Sequence, residues 1–173
     1  MVVSGTRRVV VGVDGSAESV AALMWACREA SLRDASVDAV LAVEAACHRV
    51  ASYAVPRPAT AQGSWGHARD VLRRAVAHAI ALFPDLTVQA EIAEGLAARI
   101  LLDRAAGAEM LVLGRSRPGD GQQPPGPVVR ACLRAAPCPV VAIGLADVLD
   151  TDIESAVLAQ GDHVPEAWTL AAR

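Results

Sequence analysis

The most constraining feature of this chain is an unbroken apolar run near its start. Val9-Val10-Val11-Gly12-Val13 is bracketed by Arg8 and ended by Asp14-Gly15-Ser16. A strand with one face in water alternates apolar and polar residues, and this run does not alternate. It reads as a strand buried on both faces, which requires layers of structure above and below it. Comparable runs recur at Met110–Leu113 and Val140–Ile143, and the second of these also reads as a buried strand. Buried strands separated by long connections point to a parallel sheet with helical crossovers, because parallel neighbours cannot be joined by a tight hairpin.

The segments between these runs read as those crossovers. Ser16 is placed to N-cap a first helix, with Glu18 in its first turn and Val20, Leu23, Met24, Cys27 and Ala30 at helical spacing. Ser36–Val43 reads as a second strand. Glu44–Gly63, with Pro56 and Pro58, reads as a long loop over the top of the sheet. Ser64 is expected to cap a second helix that turns Trp65, Ala68, Leu72, Ala75, Val76, Ala79 and Leu82 inward. Thr87–Ile92 alternates and is assigned to a sheet edge. Glu94-Gly95 turns into a helix over 96–106 that Gly107 stops. Pro127 sits at the first turn of a fourth helix. The order is therefore β-α-β-α-β-α-β-α-β. Residues 1–146 form one domain and 147–173 a C-terminal extension, in which Ile153, Val157 and Leu158 suggest a short helix. Trp168 and Leu170 could dock on the core or on a second subunit.

Composition excludes several classes of function. The chain is 53% hydrophobic, yet no apolar run is long enough to span a bilayer, and the N-terminus lacks a signal-peptide core. A cytosolic protein with no membrane partner is expected. A net charge of −3 gives no basic footprint for nucleic acid. The sequence contains no lysine, so every cationic side chain is Arg. That removes the Walker P-loop, which needs its lysine. The first strand end lacks the GxGxxG of a dinucleotide-binding domain. Cys27, Cys47, Cys132 and Cys138 have no metal spacing and read as small buried thiols; His48, His67, His78 and His163 show no ligand spacing. No nucleophile-base arrangement or carboxylate pair has supporting context, so no enzymatic activity and no metal are expected.

Three stretches together carry a resemblance. These are Val-Val-Val-Gly-Val-Asp14-Gly-Ser16, Met-Leu-Val-Leu-Gly114-Arg-Ser-Arg, and Leu-Arg-Ala-Ala-Pro137-Cys-Pro-Val-Val. In this order and at these separations the chain resembles the universal stress protein family over residues 7–145. The resemblance implies an open five-stranded α/β sheet in the order 3-2-1-4-5 with helices on both faces, of the adenine nucleotide alpha hydrolase-like kind. It also implies a homodimer through the last strand, a role in stress response and ATP or another adenine nucleotide as ligand. In nucleotide-binding members the loop after strand four follows Gly-x2-Gly-x9-Gly-Ser/Thr. Here Gly114 fills the first position, Arg117 replaces the second Gly, Gly126 fills the third after a spacer one residue short, and Pro127 replaces the hydroxyl residue. A receiver domain shares the topology loosely but, by its own family pattern, needs a lysine after strand five.

By this resemblance Val13, Asp14, Gly15 and Val43 hold base and ribose, and Leu113, Gly114, Arg115, Arg117, Gly126, Pro127 and Val128 lie on the phosphate side. Pro124, Pro125 and Pro127 cannot donate a backbone N–H, which erodes a phosphate nest. Arg115, Arg117 and Arg130 offer charge in its place, and Gly119 and Gly121 could form a partial nest. Two readings stand. In one, an adenine nucleotide binds with Asp14 on the ribose or base. In the other, the fold and dimer persist without a cofactor as an interaction module for an unknown protein, and Asp14 only bonds its own turn. Val13 and Val43 equally suit the core, and Gly114 marks either a close backbone approach or a positive φ.

Overall fold

The computed structural model describes residues 7–44, 61–115 and 125–147. The chain forms β1 (Arg8–Gly12), α1 (Ala17–Arg33), β2 (Ser36–Val43), α2 (Ala61–Leu82), β3 (Val88–Glu94), α3 (Ala97–Ala105), β4 (Met110–Gly114), α4 (Pro127–Ala135) and β5 (Val140–Ile143). All strand pairs are parallel, and the sheet order is β3-β2-β1-β4-β5, as the resemblance implied.

β1 lies at the centre, and Val9, Val10 and Val11 have no exposed surface. Successive side chains of a strand point to opposite faces, so this one run serves two cores. Val9, Val11 and Val13 join Leu23, Met24 and Cys27 of α1 and Leu72, Val76 and Ala79 of α2. Val10 joins Leu111 and Leu113 of β4, Ile100 and Leu101 of α3, and Val129 and Cys132 of α4. Each fully buried side chain of this size contributes about 1.5–3 kcal/mol, and the twofold demand explains why the run cannot alternate. Burial also pushes the Cys27 thiol up to about 12, which keeps it protonated and inert as expected. Among the described residues no helix is long and apolar enough to cross a membrane.

The structure departs from the sequence reading in four places. α2 begins at Ala61, so 61–63 are helical and Ser64 lies inside the helix instead of capping it. Ala61 and Gln62 are good helix formers and nothing there forces a turn; Gly63 costs about 1 kcal/mol and is tolerated. Leu82 is exposed at the end of α2, and Phe83 packs on the core in its place. β3 runs two residues further than expected, because its pairing with β2 continues to Val43 opposite Glu94. β5 is a sheet edge, with Val140, Val141 and Ala142 only half-buried within this chain. The expected loop at 45–60 and the features of 148–173, including Trp168, lie outside the described residues.

The position of the site depends on a further contact. A Cβ on Gly114 would fall 2.7 Å from both the carbonyl carbon of Glu18 and the backbone nitrogen of Ser19. The end of β4 therefore lies directly against the first turn of α1. Among the described residues Gly114 is not one of the glycines with positive φ, so close approach alone accounts for it. Gly114→Ala is expected to destabilise the fold by about 1–3 kcal/mol, since backbone must shift to admit the methyl group. Gly66→Ala, on the exposed face of α2 with nothing within 4 Å, is expected to stabilise by about 0.5–1 kcal/mol. Urea unfolding of both variants checks the pair.

Candidate nucleotide-binding site

In an open parallel sheet the crevice for a ligand forms where the strand order reverses. Here β2 lies to one side of β1 and β4 to the other, so the reversal falls between the carboxyl ends of β1 and β4. The residues expected to bind a ligand meet this end of the sheet from three segments and from Val43 at the end of β2.

The first segment leaves β1. Val13 is buried, and its N–H donates to the Val40 carbonyl at 2.9 Å. Asp14 is exposed, and its Oδ1 accepts from the Ser16 N–H at 2.9 Å and from the Ser16 hydroxyl at 2.6 Å. Ser16 Oγ in turn accepts from the Ser19 N–H at 3.2 Å, capping α1 as expected. The Ser19 hydroxyl donates to the Ser16 carbonyl at 2.9 Å and accepts from the Asp14 N–H at 3.3 Å. Gly15 between them has φ +86°, and Val71 of α2 stands 2.8 Å from where its Cβ would be. Only glycine suits that combination of backbone and space.

Asp14 thus does bond its own turn, through Oδ1 to Ser16. The Ser19 hydroxyl also bears on the carboxyl, and an ionised carboxylate has lone pairs beyond these with which to accept from a ligand hydroxyl or amine. Partial burial of the carboxyl raises its pKa, but hydrogen bonds from the Ser16 side chain and backbone outweigh that and hold it below the ordinary value.

The second segment leaves β4. Leu113 is buried and Gly114 abuts α1. The Arg115 N–H donates to the Ile143 carbonyl at 2.6 Å, tying the strand end to β5. Its guanidinium Nη2 lies 3.2 Å from Asp147 Oδ2, an ion pair in which both side chains are nearly half exposed. Asp147 lies in a 3₁₀ turn over Leu145–Asp147, and its Oδ2 also accepts from the Gly144 N–H at 2.8 Å. Arg115 is therefore turned to β5 and paired with Asp147. Arg117, Gly119, Gly121 and Pro124 lie outside the described residues.

The third segment enters α4. Gly126 is its N-cap and supplies no side-chain bond, while Pro127 takes the first helical position as expected. Val128 is half-buried and follows Pro127 in that first turn. A helix N-terminus attracts anions through its unsatisfied N–H groups; at this one Pro127 has none to give. Val43, at the end of β2, is buried, and its carbonyl accepts from the Gly95 N–H at 3.0 Å. Its side chain belongs to the core cluster of the α1–α2 face, as does that of Val13.

Sequence reasoning missed three participants. Ser19 is the one charged or polar side chain fully buried among the described residues; its spacing three after Ser16 was a readable signal. Val71 over Gly15 and Asp147 against Arg115 are tertiary contacts with no local signature.

The depressed Asp14 pKa makes the turn pH-sensitive. Since folding lowers the pKa, the unfolded chain takes up the proton first as pH falls. The stabilisation is present above the ordinary value of 3.8 and is lost as pH drops through the lower folded value. The difference in urea midpoint between the wild type and Asp14→Ala is expected to be constant near neutrality and to narrow below about pH 4.

These observations agree with comparison to known proteins. The family model described as the universal stress protein family matches residues 5–144. A universal stress protein of Mycolicibacterium smegmatis is 37% identical over 124 residues, covering 66% of this chain and 40% of that protein. The chain spans about half the length of the curated relatives it matches. Among solved structures, UspA of Lactobacillus plantarum has a TM-score of 0.63 at 22% identity, covering 79% of this chain and 97% of that one. The Archaeoglobus fulgidus universal stress protein in complex with dAMP has a TM-score of 0.58 at 22% identity, over 79% and 97% of the two chains. A match of this extent, on a sheet with the expected order and strand ends, places the chain in the universal stress protein family.

Proposed function

We propose that this domain binds an adenine nucleotide at the carboxyl ends of β1 and β4 and acts through binding, not catalysis. The observation that carries this reading is Asp14. Its Oδ1 is fixed by Ser16, and the ionised carboxylate keeps further lone pairs, at the point where the strand order reverses. A carboxylate held in this way is preorganised to accept from a ribose hydroxyl. Val13, Gly15 and Val43 would border the base through backbone and edge atoms, since both valine side chains are committed to the core. Leu113, Gly114, Arg115, Gly126, Pro127 and Val128, with Arg117 from the resemblance, would lie on the phosphate side. The dAMP complex of the A. fulgidus protein gives a ligand class for this fold.

A second reading has its own support. Pro127 lacks an N–H donor at the start of α4, and Arg115 is engaged by Asp147. Few free donors for a polyphosphate among the described residues suit a regulatory module that has given up tight ATP binding. Calorimetric titration with ATP, AMP and cyclic AMP separates the two. Micromolar binding of at least one nucleotide, weakened about tenfold or more in Asp14→Ala, is expected, because a charge-assisted hydrogen bond contributes about 1.5–3 kcal/mol. Flat traces for all three would favour the second reading.

The contrast between the two sheet edges supports a homodimer through β5. β3 carries Gln89, Glu91 and Glu94, charges and polar groups of the kind that discourage edge pairing. β5 reads Val-Val-Ala-Ile, without a polar side chain, and is half-exposed. Such an edge invites a second copy. A cytoplasmic location suits the buried, free Cys27 and Cys132. Sedimentation equilibrium is expected to give twice the chain mass of 17.9 kDa; a monomer throughout the micromolar range would count against the dimer.

A further inference from the structure

Arg115 follows directly on Gly114, at the carboxyl end of β4. Its guanidinium lies over Gly144, with Nη2 and Nε 3.3 and 3.8 Å from where a Cβ on Gly144 would be. Gly144 is buried and has no side chain, so it provides a flat bed beside β5. Asp147 closes that bed. Its Oδ2 takes both the Gly144 N–H at 2.8 Å and Arg115 Nη2 at 3.2 Å. The carboxylate is thus anchored by the backbone, and the arginine is drawn to it.

We propose that Asp147 is a positioning residue that sets how strongly the site takes a phosphate. It holds the Arg115 guanidinium on the β5 side, so a ligand phosphate must compete with a carboxylate for it. This rests on the reading of the mouth as an adenine-nucleotide site and adds to it a discrimination between uncharged and phosphorylated adenosine ligands. Arginine pairs with carboxylate and phosphate through the same planar fork, so the two are alternatives for one group. The pair is exposed on both sides, 44% and 46%. Pairs of this kind hold weakly enough for a ligand to displace them. In the wild type the gain from a phosphate is reduced by the worth of this pair, and removal of the competing charge restores it.

The test is calorimetric titration of the full chain with adenosine and with AMP, in the wild type and in Asp147→Asn, Asp147→Ala, Arg115→Gln and Arg115→Gln/Asp147→Asn. Both Asp147 variants are expected to tighten AMP by about threefold to fivefold, the range an exposed ion pair represents, and to leave adenosine unchanged. The gain should shrink as salt is raised and should be absent when Arg115 is Gln. An unchanged AMP-to-adenosine ratio, an equal shift for both ligands, or a gain that survives Arg115→Gln would overturn the role of Asp147 while leaving the nucleotide reading intact. A wild type that binds neither adenosine nor AMP would overturn both.

Discussion

The end of β4 can rest on the first turn of α1 only because residue 114 has no side chain, and the geometry of this end of the molecule follows from that contact. It brings Arg115 beside the turn that Asp14 and Ser16 organise. It also places the N-terminus of α1, with its unsatisfied N–H groups, at the strand ends. The Ser16 cap uses one of those groups and the Asp14–Ser16 bonds stiffen the chain leaving β1. A crevice built this way is rigid along its β1 wall. Its opposite wall begins at a proline that has no donor to offer. The two walls are therefore unequal, with directed hydrogen-bonding capacity on the side of Asp14.

The same asymmetry runs through the charges. With no lysine, the chain relies on arginine forks, and several of those described serve the fold. At the amino end of β1, Arg8 pairs with Asp38 at 2.9 Å and donates to the carbonyls of Arg104 and Ala106, closing the C-terminus of α3. Arg7 pairs with Glu109 at 3.4 Å, and Arg104 binds both oxygens of Glu91 across the α3–β3 contact. The last pair, led by the Arg104 hydrogen bond, holds the Glu91 carboxyl below its ordinary value. These arginines do work that backbone caps or apolar contacts do elsewhere.

How much of this was legible in the sequence depends on the range of the interaction involved. The strands β1 and β4 were readable almost to the residue, because burial on two faces leaves an unmistakable run of valine and leucine, and β5 carries a run of the same kind. The cap at Ser16 was equally plain, since its partners lie within three residues. Ser64 misled for the same reason that Ser16 did not. A serine before an apolar stripe marks a helix start only if the preceding residues resist helix, and Ala61-Gln62 do not. β5 read as buried because its sequence is that of a buried strand; the structure of one chain leaves it at an edge. Those two facts are compatible if a second chain covers it, so the discrepancy itself bears on assembly.

The site was legible as a location and illegible as a set of contacts. Asp14, Gly15 and Gly114 announce a special turn and a close approach because small or polar residues interrupt apolar runs. What each side chain then does depends on neighbours far along the chain. Arg115 looks like a phosphate ligand in sequence because a cation beside a glycine-rich loop usually faces its mouth. The partner that claims it is 32 residues away, in a turn with no motif of its own. A single acidic side chain beyond the last strand thus changes the meaning of a cation that local reasoning had assigned to the ligand. Where strand ends meet, a residue neighbours several segments, so the charge it presents is decided by the fold as a whole and not by the motif in which it sits.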